Sequence, residues 1–146
     1  MVLYLILSFI VGSAIGSFLN VVIDRSTRGE SLGGRSYCDH CKATLSTLDL
    51  VPVVSFVTLG AKCRYCKKPL SWQYPVVEAT TASLFAIAVY VLAANGVLDV
   101  KTLAFWLYLT STMIVVAVVD FKFQLIPTTF VFAASLIALV YNYLTL

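Results

Sequence analysis

The sequence predicts an all-α membrane protein of about four transmembrane helices, with a four-cysteine, zinc-binding loop inserted after the first of them. Three observations carry this. Of the 146 residues, 60% are hydrophobic and only 12% are charged, fewer charges than a water-soluble domain carries. The charges also leave long gaps: none falls in residues 2–23, 79–98, 102–119 or 123–146. Finally, the four cysteines occur as two C-x-x-C pairs, Cys38/Cys41 and Cys63/Cys66, with residues 42–62 between them.

An uncharged apolar run of about 18 residues or more is long enough to cross a bilayer as a helix. The gaps predict spans at roughly 2–23, 77–96, 102–120 and 126–146. The first lacks a basic segment before it and has a longer apolar run than a signal peptide, so it reads as a retained helix. Within it Gly12 and Gly16 form G-x-x-x-G, a spacing that lets helices approach closely. Packing against another helix of the same chain is the expected use. Asn20, near the end of this span, is expected to find a partner across the bundle.

Residues 24–75 hold Arg25, Arg28, Arg35, Lys42, Lys62, Arg64, Lys67 and Lys68, eight of the ten basic residues. Short loops rich in Lys and Arg stay in the cytoplasm, so this loop is expected inside and the N-terminus outside. The net charge of +3 is then a topology signal. Nothing resembles a nucleic-acid-binding module, because the basic residues are not interleaved with stacking aromatics.

Two C-x-x-C pairs about 15–20 residues apart are the layout of a tetrathiolate zinc site, and the gap here is slightly longer. Zinc takes four soft ligands in a tetrahedron, and a closed site of this kind is structural. Lys42, Lys62, Arg64, Lys67 and Lys68 would offset its negative charge. Two disulfides are the rival reading and would need an oxidising compartment. His40, the only histidine, sits inside the first pair and reads as a bystander. The stretch between the pairs, LSTLDLVPVVSFVTLG, is apolar, too short to span and interrupted by Pro52; it is expected to pack on the membrane surface or the bundle, with Asp49 capping or orienting it.

Pro75 suits the first turn of the second span. Glu78 follows, and is read either as a carboxylate favoured by the helix dipole or as a functional group at membrane depth. Asn95-Gly96 marks a turn on the far side, and Lys101 and Trp106 suit an interfacial start to the third helix. That helix ends at Asp120, at the predicted cytoplasmic boundary. By position alone Asp120 is a helix-end carboxylate, with Lys122 opposing its charge if both face one way.

Taken together, GSFLNVVIDR (16–25), YCDHC (37–41), LDLVPVVSFVTLG (48–60), CRYC (63–66), LSWQYPVVE (70–78) and DFKFQLIP (120–127) resemble the bacterial type IV prepilin peptidase family, in order and spacing. The resemblance implies a multi-pass protein of the bacterial inner membrane, an aspartic endopeptidase that cuts the leader of type IV prepilins or type II secretion pseudopilins on the cytoplasmic side. It also implies methyltransferase activity on the new N-terminus, with S-adenosylmethionine as donor. Asp120 matches the first of two catalytic aspartates, the one followed by Ile126-Pro127; Cys38, Cys41, Cys63 and Cys66 match zinc-type cysteines; Glu78 falls with Tyr74 and Pro75 in a recurrent segment. The implied division is helix 1 at 1–23, a cytoplasmic zinc-binding domain at 24–75, and helices 2–4 at 76–146.

Three departures from the family pattern bear on activity. Its second aspartate, in G-x-G-D, has no counterpart through Leu146, so this chain alone is expected to show little or no proteolysis unless a second polypeptide, or less favourably a symmetric partner copy, completes the pair. Ala61 stands where glycine precedes the third cysteine by two, which bears on methylation. Thr128 follows Pro127 where Asn or Asp is frequent. The alternative functions are a non-catalytic membrane scaffold that binds a pilus or secretion component through the zinc module, and, more weakly, a membrane thiol–disulfide protein.

Overall fold

A computed structural model of the chain describes residues 1–124 and 128–145. It is all-helical: α1 spans Val2–Arg28, a 3₁₀ turn spans Thr47–Leu50, α2 spans Val54–Thr58, α3 spans Gln73–Ala94, α4 spans Val100–Phe123 and α5 spans Thr128–Thr145. Three of these, α1, α3 and α4, are long and apolar enough to cross a membrane, and α5 carries a shorter apolar stretch, Thr128–Tyr143. Only 17% of the apolar window of α1 and of α4 is buried inside the protein. Such surfaces need a hydrocarbon solvent.

α1 is longer than its uncharged run. It continues past Ile23 to Arg28 and stops where Gly29 turns left-handed (φ +67°), with the Glu30 N–H donating to the Arg25 carbonyl at 2.9 Å. Residues 24–28, expected as loop, therefore form the last helical turns. α4 begins at an Asp99 cap, whose carboxylate accepts from the N–H groups of Lys101 (2.9 Å) and Thr102 (3.1 Å). It ends at Gln124, whose N–H donates to the Asp120 carbonyl.

α1 and α3 run antiparallel in the closest contact of the fold. A Cβ built on Gly12 would lie 2.7 Å from Ala82 Cα, and one on Gly16 would lie 2.7 Å from Glu78 Cα. The G-x-x-x-G pair thus serves packing within the chain. Beyond it, Leu19, Val22 and Ile23 of α1, Val77 of α3, and Ile114, Val115 and Val119 of α4 form the core. α5 leans on α4 through Phe105 stacked on Tyr141, with centroids 4.1 Å apart.

Asn20 finds the partner expected of it: its amide N–H donates to the Tyr74 carbonyl (3.1 Å), while Gln73 donates to its Oδ1 (3.2 Å). Buried Arg25 gathers the polar loop after α1 by donating to the carbonyls of Ser31, Leu32, Gly33 and Arg35.

Candidate metal centre and the cleft beneath it

The two C-x-x-C segments fold as a matched pair. In each, a residue just before the first cysteine bridges one a few positions after the second: Tyr37 with Thr44, and Lys62 with Pro69. In each, the first cysteine's N–H donates across the turn, Cys38 to the Ala43 carbonyl (3.0 Å) and Cys63 to the Lys68 carbonyl (2.9 Å). In each, a lysine follows the second cysteine in left-handed backbone, Lys42 at φ +57° and Lys67 at φ +59°. The tight turn is what aims two sulfurs from one segment at one point.

All four Sγ atoms lie within 4.8 Å of one another, and Cys38 and Cys66 are 3.9 Å apart. A sulfur–sulfur bond is about 2.05 Å long, whereas ligands at ~2.3 Å from a tetrahedral ion lie roughly 3.8 Å apart. The four cysteines are therefore positioned to bind a metal ion. His40 is exposed and is not part of the cluster. The thiols differ: burial pushes Cys38 up to about 11, while N–H groups, first that of Cys66, bring Cys63 down to about 7.

Asp49 holds the apolar insert to the second turn. Its carboxylate closes a capping box with Ser46 and accepts from Arg64 Nε at 2.6 Å. Burial pushes this carboxyl up, but the bonds from Arg64 and Ser46 outweigh it and leave it below the ordinary value. Asp49 thus orients the insert, as expected.

Between this lobe and the ends of α1 and α3 lies a cavity of about 310 Å³, lined among others by Asn20, Asp24, Tyr74, Glu78, Asp39 and Cys63. Charge pairs and hydrogen bonds stitch its walls. Arg28 makes a two-pronged bond to Asp39 (2.6 and 3.0 Å) and holds that carboxyl below its ordinary value, with burial opposing. The Tyr74 hydroxyl lies 3.0 Å from Asp24 and 3.3 Å from Asp39, so one proton serves the helix end and the first turn of the lobe.

Glu78 is buried, but it is not a helix-start cap. It is the sixth residue of α3, and its carboxyl accepts the N–H of Val53, at 2.7 Å, from the insert. Val53 adopts φ +60°, a costly conformation for a β-branched residue that this tether helps to hold. Lys122 faces Asp24 of α1 at 3.4 Å. Asp120 lies on the exposed side of the last turn of α4 and is not among the residues lining the cavity. Ile126 and Pro127, which follow it, lie outside the described residues. The fold thus gathers Cys38, Cys63, Asn20 and Glu78 around one cleft and sets Asp120 apart from it.

Asp24 is a site residue that sequence reasoning does not single out, and Arg25 is read there only as a topology signal, not as the residue that gathers the loop after α1. The signal available for them is a charged pair directly after the uncharged run 2–23.

Residues 10–92 match the family model described as the Bacterial Peptidase A24 N-terminal domain. The chain is 35% identical over 126 residues to a prepilin leader peptidase/N-methyltransferase from Klebsiella pneumoniae, a match covering 82% of this chain and 53% of that protein. A protein of the same description from Vibrio cholerae is 34% identical over 149 residues, covering 94% and 56% respectively. A type 4 prepilin-like proteins leader peptide-processing enzyme from Escherichia coli is 35% identical over 145 residues, covering 86% and 52%. The chain spans about half the length of these curated relatives. No solved structure matches it.

Proposed function

This chain belongs to the bacterial prepilin leader peptidase family, and on that premise we propose that it supplies the N-terminal part of a membrane aspartic endopeptidase acting on type IV prepilins or pseudopilins. The observation that carries the reading is the agreement of sequence over most of the chain with relatives so described. Cleavage takes place on the cytoplasmic side of the inner membrane, a placement supported by the eight basic residues between positions 24 and 75. The working division is a first helix (1–23), a cytoplasmic lobe (24–75) and a helical part (76–146).

Asp120 is one of two carboxylates. In an aspartic mechanism one takes a proton from the attacking water while the other donates to the scissile carbonyl. The second carboxyl comes from a further segment or a second polypeptide. Lys122, paired with Asp24, fixes the end of α4 on which Asp120 sits. Asn20 ties α1 to the start of α3 on the same side. Cys38, Cys41, Cys63 and Cys66 hold a structural Zn²⁺, supported by the all-sulfur donor set. The N-methylation named in the relatives' descriptions would take S-adenosylmethionine as donor and the freed N-terminal amine as acceptor.

The test is prepilin processing in cells that carry Asp120→Asn in the full native locus, with Asp99→Asn as the control. Loss of the processed pilin with Asp120→Asn alone supports the reading. Unchanged processing with Asp120→Asn, together with its loss on Cys38→Ser, refutes the aspartic role and favours a scaffold that acts through the metal lobe.

A further inference from the structure

The apolar insert raises a question of depth. Helix register on α1 sets it. The uncharged run of α1 ends at Asp24, and Gly16, eight residues earlier, abuts Glu78. At 1.5 Å per residue, Glu78 Cα lies about 12 Å below the level of Asp24. A helical side chain leans back toward its N-terminus. If Glu78 reaches back by about one turn, ~5 Å, the backbone of Val53 still sits roughly 7 Å inside the level at which the uncharged run of α1 ends.

The chemistry of the insert suits that depth. Hydrocarbon tolerates backbone only where its polar groups are satisfied. Most of the insert's N–H groups meet that condition: Val53 donates to Glu78, Ser55 to the Val51 carbonyl, Val57 to Val53 and Leu59 to Ser55. Pro52 has no N–H to satisfy. The Thr58 hydroxyl turns back onto the Val54 carbonyl. Meanwhile Val54 and Val57, one turn apart on α2, are 56% and 70% exposed, and Trp72, at the foot of α3, is 70% exposed and touches Phe56 edge-on. Val51 adds to the same apolar stretch. Lys62 stands just before the second cysteine pair and Lys67 and Lys68 just after it, where anionic headgroups would meet them.

We propose that residues 51–57 form a re-entrant arm inserted into the lobe-side leaflet, anchored from inside by Glu78, so that Val54 and Val57 contact lipid acyl chains. The four-cysteine lobe is then docked into the bilayer rather than suspended above it, which fixes the mouth of the cleft at the membrane surface. The placement depends on the spans and on helix register, not on peptidase activity, so either can fail without the other.

The test uses the whole chain in phosphatidylcholine/phosphatidylglycerol nanodiscs. With Trp72→Phe and Trp106→Phe as background, Val54→Trp is compared with Tyr65→Trp on the second turn of the lobe. Lipid brominated near the top of the acyl chain is expected to quench at least half of the Val54→Trp emission, with aqueous iodide having little effect; Tyr65→Trp should show the reverse. Iodide quenching of Val54→Trp overturns the proposal. So does protection from both quenchers, which would mean that protein covers the arm. Unsubstituted protein provides a second readout that no misfolding can obscure: an acyl-chain diazirine should label the peptide containing residues 51–57, and label confined to α1, α3 and α4 refutes insertion.

Discussion

The contact of α1 with α3 makes a prediction whose sign can be worked out. In Gly16→Ala the new Cβ meets Glu78 Cα at 2.7 Å, and in Gly12→Ala it meets Ala82 Cα at 2.7 Å. Carbon atoms settle at about 3.5–4.0 Å, so either substitution must part the helices by roughly 1 Å. Such overpacking costs about 1–3 kcal/mol. Replacing glycine by alanine within a helix returns about 1 kcal/mol. Each single variant should therefore lose about 1 kcal/mol. The glycines lie one turn apart on one face, so a single ~1 Å translation relieves both clashes, and contacts on shared structure are not additive. The double variant then bears the separation once but gains helix propensity twice, and should be at least as stable as either single variant. The assay is reversible unfolding in mild detergent by added sodium dodecyl sulfate, followed by circular dichroism. A double variant destabilised by the sum of the singles, or a Gly16→Ala chain more stable than the parent, refutes the close approach.

Three further outcomes follow from the lobe. Ala61 sits at φ +57°, where an L-residue is strained and glycine is not; Ala61→Gly should stabilise the lobe by about 0.5–1 kcal/mol in urea unfolding, and a loss of stability would show that the strain is absent. The Asp49 carboxyl, depressed in the folded chain, contributes stability above its ordinary value of 3.8 and loses it as pH falls below that; its side-chain carbon NMR titration should have a midpoint under 3.8, and Arg64→Gln should move the midpoint up, whereas no movement would remove Arg64 as a cause. Metal loading near pH 8 should release fewer protons than the four thiols could carry, because Cys63, near 7, is already largely ionised while Cys38, near 11, is not; calorimetry in buffers of different ionisation enthalpy measures this, and release of all four would contradict the asymmetry.

Much of the candidate site was legible because its signals are local. Paired cysteine spacing is read off the chain, and the left-handed lysines that follow each pair complete turns of fixed length. Asp49 was expected to cap or orient the insert, and the structure gives it that role through a capping box with Ser46, three residues earlier. Glu78 was legible as an unusual carboxyl but not in its role: its partner, the Val53 N–H, lies 25 residues away and comes into reach only when the insert folds down against α3. Lys122 was weighed against Asp120, its neighbour in sequence, whereas the fold gives it Asp24, 98 residues distant. Asp24 itself went unmarked, because a single aspartate after an apolar run looks like a simple boundary.

Composition by itself determined the helical membrane class, the first three spans and the four-sulfur donor set. Each follows from hydrophobicity or spacing along a short stretch, and hydrocarbon leaves the backbone there little choice but a helix. The tertiary structure decided what faces what: that the two glycines admit α3, that α1 runs on to Arg28, that Glu78 holds the insert, and that Asp120 lies outside the cleft. Those facts depend on the rotation and depth of one helix against another, which side-chain packing between distant segments sets and no local pattern encodes.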